Sequence, residues 1–241
     1  MPLARRVAPL LALLAVAACD RGDGAAGAPA AAGDTGAVAA ATPVAAGEAG
    51  DAAPLDPRAV RADTARIAGD TTATLWIIEA SDYQCPFCRR FHEETFPAIE
   101  AEYVRTGKVR FAYVHMPLPM HANAAPAAEA AMCAAAQGKF WGFHDGIFDA
   151  QQELTAAADP RPLFDRIAGA QGVDGAAFAR CLDDDVMQPV VMGDFERMRQ
   201  AGVNSTPTFF VGNTKIEGAQ PIAVFRRVID SALAAAPAGG R

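Results

Sequence analysis

Apolar and polar residues alternate along the middle of the chain in a pattern that predicts two strands joined by a helix. Residues 72–80, TATLWIIEA, form a short apolar run rich in β-branched side chains, which is typical of a buried strand. Apolar residues then recur at helical spacing, with a kink expected at Pro97 and an end at Gly107. Residues 108–118, KVRFAYVHMPL, predict a second strand. The pattern therefore indicates a βαβ unit.

The second half of the domain continues with helices and a hairpin. Residues 122–202 contain alanine-rich helical patterns separated by glycine and proline, and they predict an all-helical insertion. Residues 207–212 and 214–218 predict two strands joined by a tight turn, and residues 221–235 predict a closing amphipathic helix. The predicted order is β-α-β, helices, β-β-α, which places the chain in the α/β class.

The N-terminal part of the chain has a different pattern. Two arginines precede an apolar run that is too short to span a bilayer as a mature helix, so residues 1–18 predict a signal peptide. The run ends in VAAC, and Cys19 resembles the lipidated cysteine of bacterial lipoproteins; ordinary cleavage that leaves a free thiol is the alternative. Residues 19–57 are rich in alanine, glycine and proline and predict a flexible linker, which leaves residues 58–241 as the domain.

Cysteine content matters because export implies an oxidising compartment. The chain has 241 residues, a formal net charge of −7 and five cysteines, and the acidic balance argues weakly against nucleic acid as a partner. If Cys19 carries lipid, Cys85, Cys88, Cys133 and Cys181 remain. Cys133 and Cys181 lie in separate helical segments, and a structural disulfide between them is expected in an exported chain; two buried thiols are the alternative.

The stretch SDYQCPFC, residues 81–88, places two cysteines where the first strand is followed by its helix. Haem attachment requires histidine after the second cysteine, and residue 89 is arginine. A closed zinc site needs four ligands, and His92 offers only a third. A disulfide across two residues stabilises a fold weakly. Redox exchange is favoured because a helix N-terminus stabilises a thiolate, which predicts Cys85 as the exposed nucleophile and Cys88 as its shielded partner.

The element order, together with SDYQCPFC, QGKFWGFHDGIF and STPTFFVG, resembles the DsbA-like thiol:disulfide oxidoreductases over about residues 60–235. These proteins have a thioredoxin fold with a helical insertion. The resemblance implies that Glu79 is a buried acid that assists proton transfer; a strand-end carboxylate facing water is the alternative. It also implies a cis Thr206-Pro207 peptide packed against the cysteines, with the Thr206 backbone available to a substrate peptide. A trans proline that begins an edge strand is the alternative.

The function expected from these features is oxidation of protein or peptide thiols on the periplasmic side of a bacterial membrane. We expect a lipid-anchored monomer, on the inner membrane by preference, that needs no dissociable cofactor and is reoxidised by a membrane quinone-linked partner, as in the DsbA family. A reductase or isomerase using the same cysteines is the first alternative. The second is a metallochaperone holding copper or zinc through Cys85, Cys88 and His92. The remaining histidines are expected to pack and form hydrogen bonds: His115, His121 and His144.

Overall fold

The computed structural model describes residues 56–235, which contain both helices and strands. The helices in this range are α1 (Pro57–Ala65), α2 (Pro86–Glu94), α3 (Phe96–Ile99), α4 (Ala124–Ala135), α5 (Phe140–Asp149), α6 (Gln151–Ala156), α7 (Arg161–Ala170), α8 (Gly175–Asp183), α9 (Gln188–Gln200) and α10 (Ile222–Ala235). The strands are β1 (Ile67–Ala68), β2 (Leu75–Ser81), β3 (Val109–His115), β4 (Thr208–Val211) and β5 (Thr214–Glu217).

The five strands form one sheet in the order β1-β3-β2-β4-β5. β2 and β3 are parallel, with Leu75 opposite Val109, and the α2–α3 segment connects them. The β2–β4, β4–β5 and β1–β3 pairs are antiparallel. The predicted βαβ unit, the hairpin and the thioredoxin-like α/β class are confirmed.

The domain has two large apolar cores, and the cysteines belong to the second of them. One core packs the sheet against α2, α3 and α10 and contains Ile77, Phe91, Ile99, Phe111, Phe209 and Phe225. The other is built mainly from the helical insertion, and it extends to Tyr83, Cys85, Cys88 and Tyr113. β2 lies at the centre of the sheet, which explains its nearly continuous apolar sequence. The cysteines are therefore held where the sheet domain meets the insertion.

The connection from β2 to β3 breaks where the sequence predicts a kink. α2 ends at Thr95, and Pro97 lies in the first turn of α3, where its missing N–H leaves no hydrogen bond unmade. A π-helical turn, Glu100–Val104, extends α3, and Gly107 follows with a φ of 72°. Glycine tolerates this left-handed backbone and lets the chain turn into β3.

The first helix and strand were not predicted from the sequence. Asp56 caps α1 by accepting a hydrogen bond from the Arg58 N–H at 2.7 Å, and Pro57 occupies the first turn. Asp56 and Pro57, the last two residues of the predicted linker, therefore belong to the start of α1. The predicted signal peptide, Cys19 and most of the predicted linker lie outside the described residues.

The predicted helical insertion is confirmed as the six helices α4 to α9. Within residues 56–235, no helix combines the length and apolar character needed to cross a bilayer.

Candidate active site

Cys85 and Cys88 lie at the junction of β2 and α2. Cys85 is the N-cap residue, with an extended backbone, and Pro86 begins the helix behind it. The Cys85 carbonyl accepts hydrogen bonds from the N–H groups of Cys88 and Arg89, at 3.1 and 3.2 Å, so Cys88 lies within the first helical turn. Both sulfur atoms are thiols in this structure.

The prediction that Cys85 is exposed is wrong, although Cys85 is more exposed than Cys88. Cys85 is 4% exposed and Cys88 is fully buried. Cys85 is covered because the loop before β4 crosses it: in the thiol form, its Sγ donates a hydrogen bond to the Thr206 carbonyl at 3.3 Å. Cys85 is nevertheless the more accessible sulfur, and Cys88 is its shielded partner.

The surroundings of the two thiols shift their pKa values in opposite directions. A hydrogen bond from the Cys88 side chain, assisted by the backbone N–H groups of Phe87 and Cys88 at the start of α2, lowers the pKa of Cys85 to about 6. Burial raises the pKa of Cys88 well above its usual value. The two shifts make Cys85 the sulfur that ionises first and Cys88 the one that keeps its proton to higher pH.

Asp82 anchors the loop that leads into the cysteines. Its backbone N–H lies 3.5 Å from Cys88 Sγ, and its carboxylate accepts from the Gln84 and Leu118 N–H groups, both at 2.7 Å. The Asp82 Oδ2 atom also lies 2.8 Å from His121 Nδ1. This fully buried carboxylate fixes the backbone between β2 and α2, and His121 hydrogen-bonds as predicted.

Glu79 is buried in β2, between Tyr113 of β3 and Phe209 of β4. Burial raises its pKa to about 8, and the nearby Cys85 adds to this effect. Of the two alternatives for Glu79, the structure therefore shows the buried carboxyl and not the strand-end carboxylate that faces water. A carboxyl with this pKa exchanges its proton near neutral pH.

The Thr206-Pro207 peptide bond is cis and directly precedes β4. This geometry brings the Thr206 carbonyl against Cys85, as described above. The Thr206 hydroxyl is buried without a partner among the described residues.

Two side chains of the helical insertion hold the cysteine loop, and no local sequence pattern pointed to either of them. Gln151 donates from Nε2 to the carbonyls of Tyr83 and Cys85, at 2.7 and 3.0 Å. The Asn123 N–H donates to Gln84 Oε1 at 2.6 Å. Both residues are brought to the site only by the tertiary fold.

A layer of aromatic rings and histidines lies beneath the cysteine loop. Tyr83 stacks on Tyr113 at 5.4 Å, and its hydroxyl lies 3.2 Å from His144 Nδ1. Burial lowers the pKa of His144 well below its usual value and that of His115 to about 3. The expected hydrogen bonding is wrong for the His115 ring, whose two nitrogens have no partner within residues 56–235.

An open groove of about 620 Å³ runs beside the cysteines. It lies between the start of α2, the loop before the cis proline and the turn that leads into α10. Its lining includes Phe87, Arg90, Thr95, Thr206, Ala219 and Pro221. Phe87, the residue between Pro86 and Cys88, is 53% exposed at the edge of this groove. An apolar side chain thus faces solvent next to the reactive sulfur.

The other two cysteines form a disulfide within the helical insertion. Cys133 of α4 and Cys181 of α8 form a disulfide across a sequence separation of 48 residues. It links two helices of the insertion.

The candidate metal ligands do not assemble as the sequence suggested. Within the described part of the chain, the group of three potential ligands that lie close together is His92, His144 and Asp145. Cys85, Cys88 and His92 do not form such a group. The geometry therefore does not support a metallochaperone site built on the cysteines.

A thioredoxin-type sheet, a CxxC motif at a helix N-terminus and a facing cis proline together provide the geometry for thiol:disulfide exchange. The thioredoxin family model matches residues 61–231, and the chain belongs to that family. Its fold and the arrangement of its site resemble those of DsbA-like thiol:disulfide oxidoreductases.

Individual relatives agree with this placement. Disulfide bond formation protein D of Bacillus subtilis is 24% identical over 153 residues, which cover 63% of this chain and 69% of that protein. The crystal structure of Wolbachia pipientis alpha-DsbA1 is 26% identical, with a TM-score of 0.63 over 70% of this chain and 90% of the other. BdbD of Bacillus subtilis in its oxidised form has a TM-score of 0.65 over 70% and 92% of the two chains; at 22% identity it speaks for the fold alone.

Another relative carries a transporter's name. A protein named Na(+)/H(+) antiporter NhaA 3, from Salinispora tropica, is 33% identical over 192 residues. The match covers 78% of this chain but only 27% of that protein, so this chain spans about a quarter of the relative's length. Most of the named antiporter lies outside the match.

Proposed function

We propose that this protein oxidises pairs of thiols in exported proteins or peptides through a Cys85–Cys88 disulfide. The observation that carries the proposal is the position of Cys85 at the N-terminus of α2, with Cys88 fully buried behind it. A stabilised Cys85 thiolate favours the reduced form of the protein, so the disulfide form is a strong oxidant.

The reaction has two exchange steps. A substrate thiolate attacks Cys85 Sγ of the disulfide, the Cys85–Cys88 bond breaks, and a mixed disulfide forms while Cys88 leaves as a thiolate. A second substrate thiolate then attacks the substrate sulfur of the mixed disulfide and releases Cys85 as a thiolate. The substrate loses two electrons, and the reduced protein gains them.

Glu79 is proposed to supply the proton that the leaving Cys88 sulfur takes up. Cys88 is fully buried and its pKa lies far above neutrality, so it requires a proton when it leaves. The raised pKa of Glu79, about 8, keeps this carboxyl protonated and able to donate at pH 7. On reoxidation the same carboxylate accepts the proton.

The cis Thr206-Pro207 loop and the adjoining groove are proposed to bind the substrate as an extended segment. Strand-like addition to an exposed backbone edge gives affinity without much sequence preference, which suits an enzyme with many substrates. Phe87 would cover an apolar side chain of that segment.

We further propose export, with residues 1–18 as signal peptide and Cys19 lipidated on the periplasmic side of the inner membrane. There a membrane quinone-linked protein would reoxidise the cysteines. The pattern VAAC supports the anchor. Intact-mass analysis of the protein from membranes tests it: a diacylglyceryl group on Cys19 supports anchoring, and an unmodified or absent Cys19 contradicts it.

The direction of electron flow is tested by the reduction potential of Cys85–Cys88. The full chain with Cys19→Ala is equilibrated against glutathione, and the reduced fraction is counted by alkylation and mass spectrometry. A potential near that of DsbA, about −120 mV, supports the oxidase. A potential near that of thioredoxin, about −270 mV, overturns it in favour of the reductase.

A further inference from the structure

A cluster of metal-binding side chains lies apart from the redox cysteines, between α2 and α5. His92 belongs to α2, and His144 and Asp145 are adjacent in α5. One potential ligand atom from each of the three lies within 4.8 Å of the others. We propose that His92, His144 and Asp145 bind a zinc ion and so join α2 to the helical insertion.

The spacing of these atoms suits a tetrahedral ion. Zinc holds nitrogen and oxygen ligands at about 2.0–2.2 Å, which places neighbouring ligand atoms about 3.3 Å apart. His92 Nε2 and Asp145 Oδ1 are already 3.5 Å apart, so a bound ion would need little movement of this pair. The Asp145 side chain is 55% exposed, which leaves a direction open for a water as fourth ligand.

The His144 ring is oriented by a neighbour that is not itself a ligand. Its Nδ1 lies 3.2 Å from the hydroxyl of buried Tyr83. When Nδ1–H donates to that oxygen, Nε2 carries the free lone pair, which is the arrangement found behind most metal-binding histidines. Phe148 packs against His92 and His144, with ring centroids 5.0 Å from each, and restricts both imidazoles.

The donor set and the surrounding charge favour a borderline transition ion over calcium or magnesium. Two imidazoles and one carboxylate suit zinc, whereas calcium and magnesium take oxygen ligands. Metal binds the neutral imidazole, and burial favours that form at both rings. Asp149 and Glu100 add negative charge beside Asp145.

A zinc ion here would connect α2, which follows the first redox cysteine, to α5 of the helical insertion. His92 lies one helical turn beyond Cys88 on α2, and α5 belongs to the insertion core. The site goes beyond the proposed exchange reaction, because none of its ligands is a cysteine.

The test is a calorimetric titration of zinc sulfate into the full chain with Cys19→Ala, purified without a histidine tag. The protein is fully oxidised first, so Cys85–Cys88 and Cys133–Cys181 are disulfides and no thiol remains to bind metal. We expect one saturable zinc site per chain and a higher melting temperature in the presence of zinc.

Two ligand variants and two matched controls assign the site. His92→Phe preserves stacking on Phe148, and Asp145→Ala changes an exposed position, so both are expected to fold; each should weaken zinc binding at least tenfold. His121→Asn removes a histidine elsewhere, and Asp149→Asn removes a neighbouring charge; each should change affinity less than threefold. Thermal unfolding without zinc verifies that all four variants are folded.

Three outcomes would overturn the site. The oxidised protein could show no saturable zinc binding below millimolar concentration. The controls could weaken binding as much as the ligand variants do. Zinc could bind only after reduction and be lost on alkylation, which would assign it to Cys85 and Cys88. None of these results depends on the reduction potential, so the zinc site and the oxidase proposal can fail separately.

Discussion

Cys88 acts on Cys85 in two ways, as redox partner and as hydrogen-bond donor. The hydrogen bond from its side chain is the largest of the contacts that lower the pKa of Cys85 to about 6. Serine preserves a donor at this position, whereas alanine removes it, and neither variant can form the disulfide. The pair of variants therefore separates the electrostatic role of Cys88 from its redox role.

For Cys88→Ser we expect the rate of Cys85 alkylation by iodoacetamide to rise with pH through a midpoint near 6. For Cys88→Ala the midpoint should move upward, toward the ordinary thiol value of about 8.5. The alkylation rate of Cys85 is measured by mass spectrometry in buffers from pH 4 to pH 10, in steps of about one pH unit. Equal midpoints in the two variants would show that the helix N-terminus alone, and not Cys88, controls the ionisation.

Glu79 should make the protein less stable as the pH rises. Its folded pKa, about 8, exceeds the usual 4.5, so between these values the folded chain binds more protons than the unfolded chain and stability falls with increasing pH. At pH 7 the cost is about 3 kcal/mol, from about 1.4 kcal/mol per pKa unit. The buried histidines act in the opposite sense, but only below about pH 6.5.

The Glu79→Gln variant should therefore lose the fall in stability between about pH 6.5 and 8. Urea unfolding of the oxidised protein measures it, because neither Cys85 nor Cys88 titrates as a disulfide. The variant should also slow the exchange reaction, since an amide cannot donate the proton that Cys88 needs. Parallel stability curves for wild type and variant would show that Glu79 does not titrate in this range.

At the scale of elements, the Cys133–Cys181 disulfide joins α4 to α8 across 48 residues. Closing a loop of this length removes unfolded-state entropy worth about 4 kcal/mol. We expect the variant Cys85→Ser/Cys88→Ser to lose about that much unfolding free energy when a reductant is added. The same variant is measured with and without reductant, so the difference in unfolding free energy contains no contribution from a changed side chain. A loss below about 1 kcal/mol would mean that the insertion holds α4 and α8 together without the bond.

A buried ion pair joins the first strand to the insertion. Arg66, directly before β1, is 6% exposed and pairs with Asp194 of α9, whose carboxylate also accepts from the His115 N–H at 3.1 Å. Without Asp194, the buried Arg66 guanidinium keeps only the exposed carboxylate of Asp63 as a partner. Breaking a buried ion pair by removing one partner costs about 3–5 kcal/mol.

Asp194→Ala should therefore lower the unfolding free energy by about 3 kcal/mol or more. The control is Glu196→Ala on the same helix, which removes an exposed pair with Arg199 and should cost less than about 1 kcal/mol. Denaturant unfolding of both variants gives the comparison. Equal losses would mean that the buried pair adds nothing beyond an ordinary surface contact.

For the whole molecule, sequence patterns predicted the elements whose apolar residues follow a clear period. β2, α2 and the hairpin are of this kind, and Gly212 with a φ of 56° supplies the turn between β4 and β5. α1 and β1 were missed because β1 has two residues and the buried side chains of α1 are Ala59 and Ala62, which resemble the alanine-rich segment before them.

In the candidate site too, residues with a local sequence pattern were predictable and residues placed by tertiary packing were not. Cys85 and Cys88 were predictable because their chemistry depends on spacing within one helical turn, and the Thr206-Pro207 geometry came from resemblance. Gln151 and Asn123 were not predictable, because only the packing of the insertion brings them to the loop. The low exposure of Cys85 has the same origin, since it depends on a chain segment more than a hundred residues away.

The groove beside Cys85 connects the helix that carries the chemistry, the cis-proline loop and the start of α10. Phe87 offers the groove's exposed aromatic surface, and burying a large apolar side chain against substrate is worth about 1.5–3 kcal/mol. Phe87→Ser should therefore lower kcat/KM for a reduced unfolded protein at least about tenfold. Exchange with glutathione, which is too small to fill the groove, should change little. Met192→Ser, an equally exposed apolar position on α9, should leave both rates unchanged. If Phe87→Ser slowed both substrates alike, the residue would act on the reactivity of Cys85, and the groove would not be where the substrate binds.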